Sequence, residues 1–179
     1  MAYDAPKWVE VVRSGEHPPT ARFDAVTDQG WEPGQGVFTG EYRHTIDAKG
    51  RLAVPARFRA ELAGDAYVCR WLDGCLAIFP RAAWEELAGR IRSLATVGDT
   101  TARSFARHIF SSAFPVQLDA QGRVLLPAAL RESEGLASEA VVVGLLDHVE
   151  LWPPQRWGQY TAGMGDADEF ATRLAGLGI

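Results

Sequence analysis

Cysteine is scarce in this chain. Of 179 residues only Cys69 and Cys75 are cysteine, too few for a disulfide framework and without the second pair that a zinc ribbon needs. Both read as buried thiols. No apolar run approaches the roughly 18 residues of a membrane-spanning helix. The first residues carry Asp4, Lys7, Glu10 and Arg13 and lack the apolar stretch of a secretory signal. The expectation is a cytoplasmic protein with no membrane partner. Positive charge is also in deficit: 18 Lys and Arg against 23 Asp and Glu leave a formal net charge of -5. A nucleic-acid binder with this balance must concentrate its cations locally. His44, His108 and His148 stand apart from cysteine and from acidic company, so no metal is expected, and no motif points to a cofactor.

What is present is a repeat. Ile46-Asp-Ala-Lys-Gly-Arg-Leu-Ala-Val-Pro-Ala-Arg-Phe-Arg59 returns as Leu118-Asp-Ala-Gln-Gly-Arg-Val-Leu-Leu-Pro-Ala-Ala-Leu-Arg131, displaced by 72 positions. Aspartate, glycine, both arginines and proline are kept, and most other positions exchange one apolar residue for another. Leu72-Asp73 and Leu146-Asp147, Phe79-Pro80 and Trp152-Pro153, then Trp84 and Trp157, extend the echo.

Each copy supports the same local reading. A short strand enters Asp47, Gly50 allows a left-handed turn, and a second strand runs from Arg51 to Val54. Pro55 ends it and opens a short helix to Leu62, closed by Gly64. Residues 66–79 form a hairpin about Asp73-Gly74, a type I′ turn pair, and Val141–Trp152 repeats it about Asp147-His148. Prolines then introduce helices over Pro80–Leu94 and Pro153–Tyr160. Between the copies, Ala102, Phe105, Ala106 and Ile109 recur at helical spacing over Thr100–Phe110. The domain reading is a first unit at 37–95, a connecting helix within 96–112, a second unit at 113–160, and a frayed or disordered tail at 161–179. Residues 1–36 read either as a disordered arm or as a segment upstream of a natural start at Val37.

Phe38-Thr-Gly-Glu-Tyr-Arg-His-Thr-Ile followed by the first repeat resembles the opening of an MraZ protein, and Asp-x-x-x-Arg at Asp47/Arg51 and Asp119/Arg123 is that family's mark in each half. The resemblance implies an α+β fold of two tandem AbrB/SpoVT-like units forming a pseudo-symmetric β-barrel with flanking helices. It also implies closed homo-oligomeric rings on direct repeats of double-stranded DNA, and transcription regulation near the division and cell-wall gene cluster. Nucleoid association follows from the same resemblance.

From Glu41 to Arg59, Arg43, Lys49, Arg51, Arg57 and Arg59 face only Glu41 and Asp47. Such a cluster suits phosphate neutralisation and bidentate contact to guanine. The AbrB-type resemblance points to Arg51 and Arg59 in particular; Lys49, Arg57, Arg43 and His44 are further candidates. In the second copy Gln121 replaces Lys49 and Ala129 replaces Arg57, so Arg123 and Arg131 are read as weaker contacts and the second unit as chiefly for assembly. Two readings of Arg51 stay open: a DNA contact, or an ion pair with Asp47 that shapes the turn. Trp71, Trp84, Trp152 and Trp157 read as core or as packing between units. The rival function is an antitoxin-like or other protein-binding module of AbrB fold. An enzyme is not expected: two halves each offering an aspartate resemble an acid protease in outline, but an arginine beside each carboxylate keeps it ionised.

Overall fold

The computed structural model describes residues 37–94 and 99–164. The readings for 1–36, and for the tail beyond Met164, lie outside the described residues. Four α-helices are described, α1 (Arg81–Leu94), α2 (Thr100–Phe110), α3 (Ala128–Glu134) and α4 (Pro154–Ala162). None is long and apolar enough to cross a membrane.

Eight strands lie among the described residues: β1 (Phe38–Thr45), β2 (Arg51–Ala53), β3 (Ala66–Arg70), β4 (Leu76–Pro80), β5 (Phe114–Val116), β6 (Arg123–Leu125), β7 (Glu139–Leu146) and β8 (His148–Trp152). Six form an antiparallel sheet in the order β1-β7-β8-β4-β3-β5, and β2 pairs with β6. Exchanging each strand for its repeat partner merely reverses that order, so the sheet is pseudo-symmetric about the β4·β8 pair. The halves are interleaved: β1 of the first copy pairs with β7 of the second, and β5 of the second with β3 of the first. Repeated sequence therefore builds one sheet by exchange. The implied barrel is not closed, because the outer strands β1 and β5 do not pair with each other.

The central strands are apolar on both faces, as strands covered on both sides must be. Val68, Ile78, Val149, Leu151 and Val142 join Leu52, Val124, Phe58 and Leu130 in the principal core, which lies between the sheet and the β2·β6 pair. Side chains of opposite parity cover the other face. There Cys69, Ala77 and Phe79 pack with Trp84 and Ile109, and Cys75, Val141 and Trp152 pack with Trp157. Trp84 and Trp152 are buried, whereas Trp71 and Trp157 are half-buried at the edges of those clusters. Both cysteines are free and buried, and burial pushes the Cys69 thiol up to about 12.

Three local expectations need correction. The helix expected from Pro55 to Leu62 is a short 3-10 turn, Ala56–Phe58. The first copy places its closing glycine nine residues after the proline and the second eight, and only the shorter spacing carries a regular α-helix, α3, into a left-handed Gly135. The second hairpin turns on Leu146-Asp147 and not on Asp147-His148: Leu145 pairs with His148, and Leu146 is left-handed at φ 57°. The first hairpin keeps the expected turn, with Asp73 at φ 56° and Gly74 at φ 81°. The strand after Gly50 folds back on Ile46 through a single bridge, Ile46 to Leu52, and takes its main partner from the other copy.

Candidate nucleic-acid interface

The two Asp-x-x-x-Arg loops are built alike. Asp47 Oδ1 accepts the backbone N–H groups of Lys49 (2.9 Å) and Arg51 (3.0 Å), and its Oδ2 accepts Arg51 Nε at 2.8 Å. Asp119 repeats this with Gln121 N (2.9 Å), Arg123 N (3.0 Å) and Arg123 Nε (2.9 Å). Hydrogen bonds to the charged form favour it. The Arg51 backbone N–H, followed by its guanidinium, lowers the Asp47 carboxyl below the usual range. The Arg123 side chain and backbone N–H hold Asp119 down at about 2. Each aspartate is thus an ionised clamp on its own arginine.

Strand exchange then brings the loops together. In the β2·β6 register Ala53 faces Arg123 and Arg51 faces Leu125, and Arg123 Nη1 reaches to 3.7 Å from Asp47 Oδ2. Val54 N donates to Gly122 O and Leu126 N to Gly50 O, both at 3.0 Å, so each copy's turn is tied to the chain of the other. Arg59 donates Nε to Val54 O at 2.9 Å and lies over the Gly122 turn. Arg131 donates Nε to Leu126 O at 3.3 Å and lies over the Gly50 turn. Gly50 and Gly122 are left-handed, at φ 80° and 73°, and a Cβ at either would collide with the guanidinium above it. Arginine reaches these turns because they carry no side chain.

Arg51, Arg59, Arg123 and Arg131 therefore form one constellation, with exposed Lys49 at the tip of the first turn. Arg51 and Arg123 keep 31% and 24% of their side-chain surface exposed, so the ion pair with aspartate leaves them reachable. Arg57 joins the flank by donating Nη1 to Tyr42 Oη at 3.0 Å, where Tyr42 meets Phe58 edge-on at 5.3 Å. His44 is half-buried, and burial, with the nearby Arg59 charge, lowers its pKa. Arg43 alternates to the opposite face of β1, at a small recess that it lines with His44, Thr45, Glu139, Ala140 and Pro154. Two features escaped the sequence reading. Arg131 belongs to the first copy's turn, for which the only sequence signal was the strict repetition of arginine and glycine. His148 is not isolated: its Nδ1 is 2.7 Å from Asp147, and Glu150 stands 3.7 Å from its Nε2.

Comparison with known proteins agrees with this duplication. A family model described as an MraZ protein, antitoxin-like, matches the chain twice, over residues 37–107 and 109–175. The chain is 47% identical to the transcriptional regulator MraZ of Roseiflexus castenholzii over 142 residues, 79% of this chain and 99% of that protein. It is 47% identical to the same-named protein of Moorella thermoacetica over 134 residues, covering 74% and 92% of the two chains. For that of Halothermothrix orenii the figures are 41% over 145 residues, 80% and 100%. With both halves matched and these relatives spanned almost end to end, the chain belongs to the MraZ family.

Proposed function

We propose that this chain is a sequence-specific DNA-binding transcription regulator whose two arginine-bearing turns meet double-stranded DNA as one surface. The observation that carries the reading is the gathering of Arg51, Arg59, Arg123 and Arg131, one pair from each copy, about two interlocked turns. In a chain of net charge -5, this local concentration supplies the cation that phosphate requires. Clamping by Asp47 and Asp119 fixes the direction of Arg51 and Arg123 before DNA arrives, which reduces the ordering cost of binding. Such a preset guanidinium suits bidentate contact to guanine, worth about 1–3 kcal/mol of base discrimination. The relatives' shared name, transcriptional regulator, supports the assignment.

The finer reading is an AbrB-type unit duplicated in one chain, assembled as a closed homo-oligomeric ring on direct repeats near the division and cell-wall genes. Lys49 and Arg57 add phosphate contacts, while Arg43 and His44 contribute least. The test is a gel shift at fixed salt with duplex DNA from upstream of the protein's own gene. Wild type is expected to give a discrete shifted band and Arg51→Ala a shift only at about tenfold or more higher protein concentration. Failure of wild type to bind would favour the antitoxin-like, protein-binding reading; unchanged binding by Arg51→Ala would remove that residue from the interface.

A further inference from the structure

A cavity of about 570 Å³ opens on the helix-covered face of the sheet and shares no lining residue with the arginine turns. Its size falls within the range of sites that enclose small molecules. One wall is made of rings. Trp71 meets Phe79 edge-on at 5.1 Å and Phe105 at 6.2 Å, and the His148 ring stacks on Phe79 at 4.7 Å. Ala102, half-buried on α2, is the smallest side chain of the lining, so a larger residue there would intrude on the space.

The charged groups at the rim are not equivalent. Asp99 caps α2 by accepting the Ala102 N–H at 2.9 Å, and Asp147 accepts from His148 Nδ1 at 2.7 Å. Burial opposes the charged form of His148, but Glu150 and Asp147 outweigh it and raise its pKa. Arg90 is different. Its nearest carboxylates, Glu86 and Asp147, stand 3.9 and 4.0 Å away, outside hydrogen-bonding distance, and its side chain is 60% exposed. Its guanidinium carries five N–H donors in a planar fork, and its two ion pairs, with Glu86 and Asp147, do not close to hydrogen bonds.

We propose that this cavity binds a small, flat, apolar molecule bearing one carboxylate, with its rings against Trp71, Phe79 and Phe105 and its carboxylate on Arg90. Flat rings match the aromatic wall, and a carboxylate accepts two parallel N–H groups from one guanidinium. A cationic ligand would find both rim aspartates already engaged. This site is independent of the DNA reading and is tested without DNA.

The experiment is calorimetric titration of the whole protein with 2-naphthoate and with its neutral isostere 2-naphthamide. The expected result is saturable binding of one naphthoate per chain, with naphthamide weaker by about tenfold, the loss of a charge-assisted pair. Arg90→Gln should weaken naphthoate by a similar factor and leave naphthamide unchanged. Ala102→Phe should abolish binding of both, and Leu87→Trp provides a second filling variant, each checked for native circular dichroism. Absence of saturable naphthoate binding overturns the proposal, whether the cavity is empty or covered by a second copy of the chain. Equal affinity for the two probes, or undiminished binding by a folded filling variant, overturns it as well.

Discussion

At the residue scale, Gly122 answers two demands at once: a left-handed backbone, and room for the Arg59 side chain laid across it. Gly64 is also left-handed, at φ 95°, but a Cβ there meets nothing. Gly64→Ala should therefore cost only the backbone penalty, about 1–2 kcal/mol, whereas Gly122→Ala should cost more and should also displace Arg59. Urea denaturation of both variants beside wild type measures the difference, and equal losses would mean that the arginine does not depend on the turn. Asp119 offers a pH test. Its carboxyl titrates at about 2 in the folded chain, against roughly 3.9 when unfolded. The stabilisation it supplies is therefore complete above pH ~4 and is lost as pH falls toward 2. Asp119→Asn should be less stable than wild type at neutral pH, and thermal melts should show the gap closing over that acid window. His148 has the opposite sign. Its pKa is raised by Glu150 and Asp147, so the stability gained from its charge is present below the unfolded value of about 6.5 and fades as pH rises through the folded one. His148→Gln should flatten that alkaline decline.

At the scale of the element, period-two alternation and turn chemistry made much of the local structure legible. Asp73-Gly74 specified the primed turn that the hairpin adopts, and Ala102, Phe105 and Ile109 marked the helical spacing that α2 follows. Asp47 and Arg51 four residues apart left an ion pair open beside a DNA contact, and the pair is there at 2.8 Å. Pairing partners were not legible. Alternation says which side of a strand is buried but not which strand lies beside it, so β1 beside β7 and β2 beside β6 could not be read from Phe38–Ala53. The same gap placed Arg131 with the second copy alone. The acidic company of His148 was also overlooked, since Asp147 is its chain neighbour and Glu150 lies two positions on, where alternation returns to the same face of β8. Exchange makes a prediction of its own: a fragment of residues 37–94 leaves β1 without β7 and β3 without β5. Circular dichroism of that fragment as a monomer should show no cooperative thermal transition, while a sharp melt would mean that the halves fold independently.

At the scale of the whole molecule, duplication within one chain does what a symmetric dimer does with two. It closes one core between two copies and sets two equivalent turns side by side, but it allows the copies to diverge. Lys49 of the first copy corresponds to Gln121 of the second, and Arg57 to Ala129. The surplus cation lies on the first copy, while the arginines that contact the paired turns come equally from both. A surface shared in this way responds to changes in either copy. The most direct measurement is fluorescence anisotropy of upstream duplex DNA at fixed salt with Arg59→Ala and Arg131→Ala, each accompanied by a thermal melt. A composite interface predicts that both variants lose affinity by about tenfold or more, with discrimination lost against a scrambled duplex. Wild-type affinity for a folded Arg131→Ala, alongside a large loss for Arg59→Ala, would contradict it and confine DNA contact to the first copy.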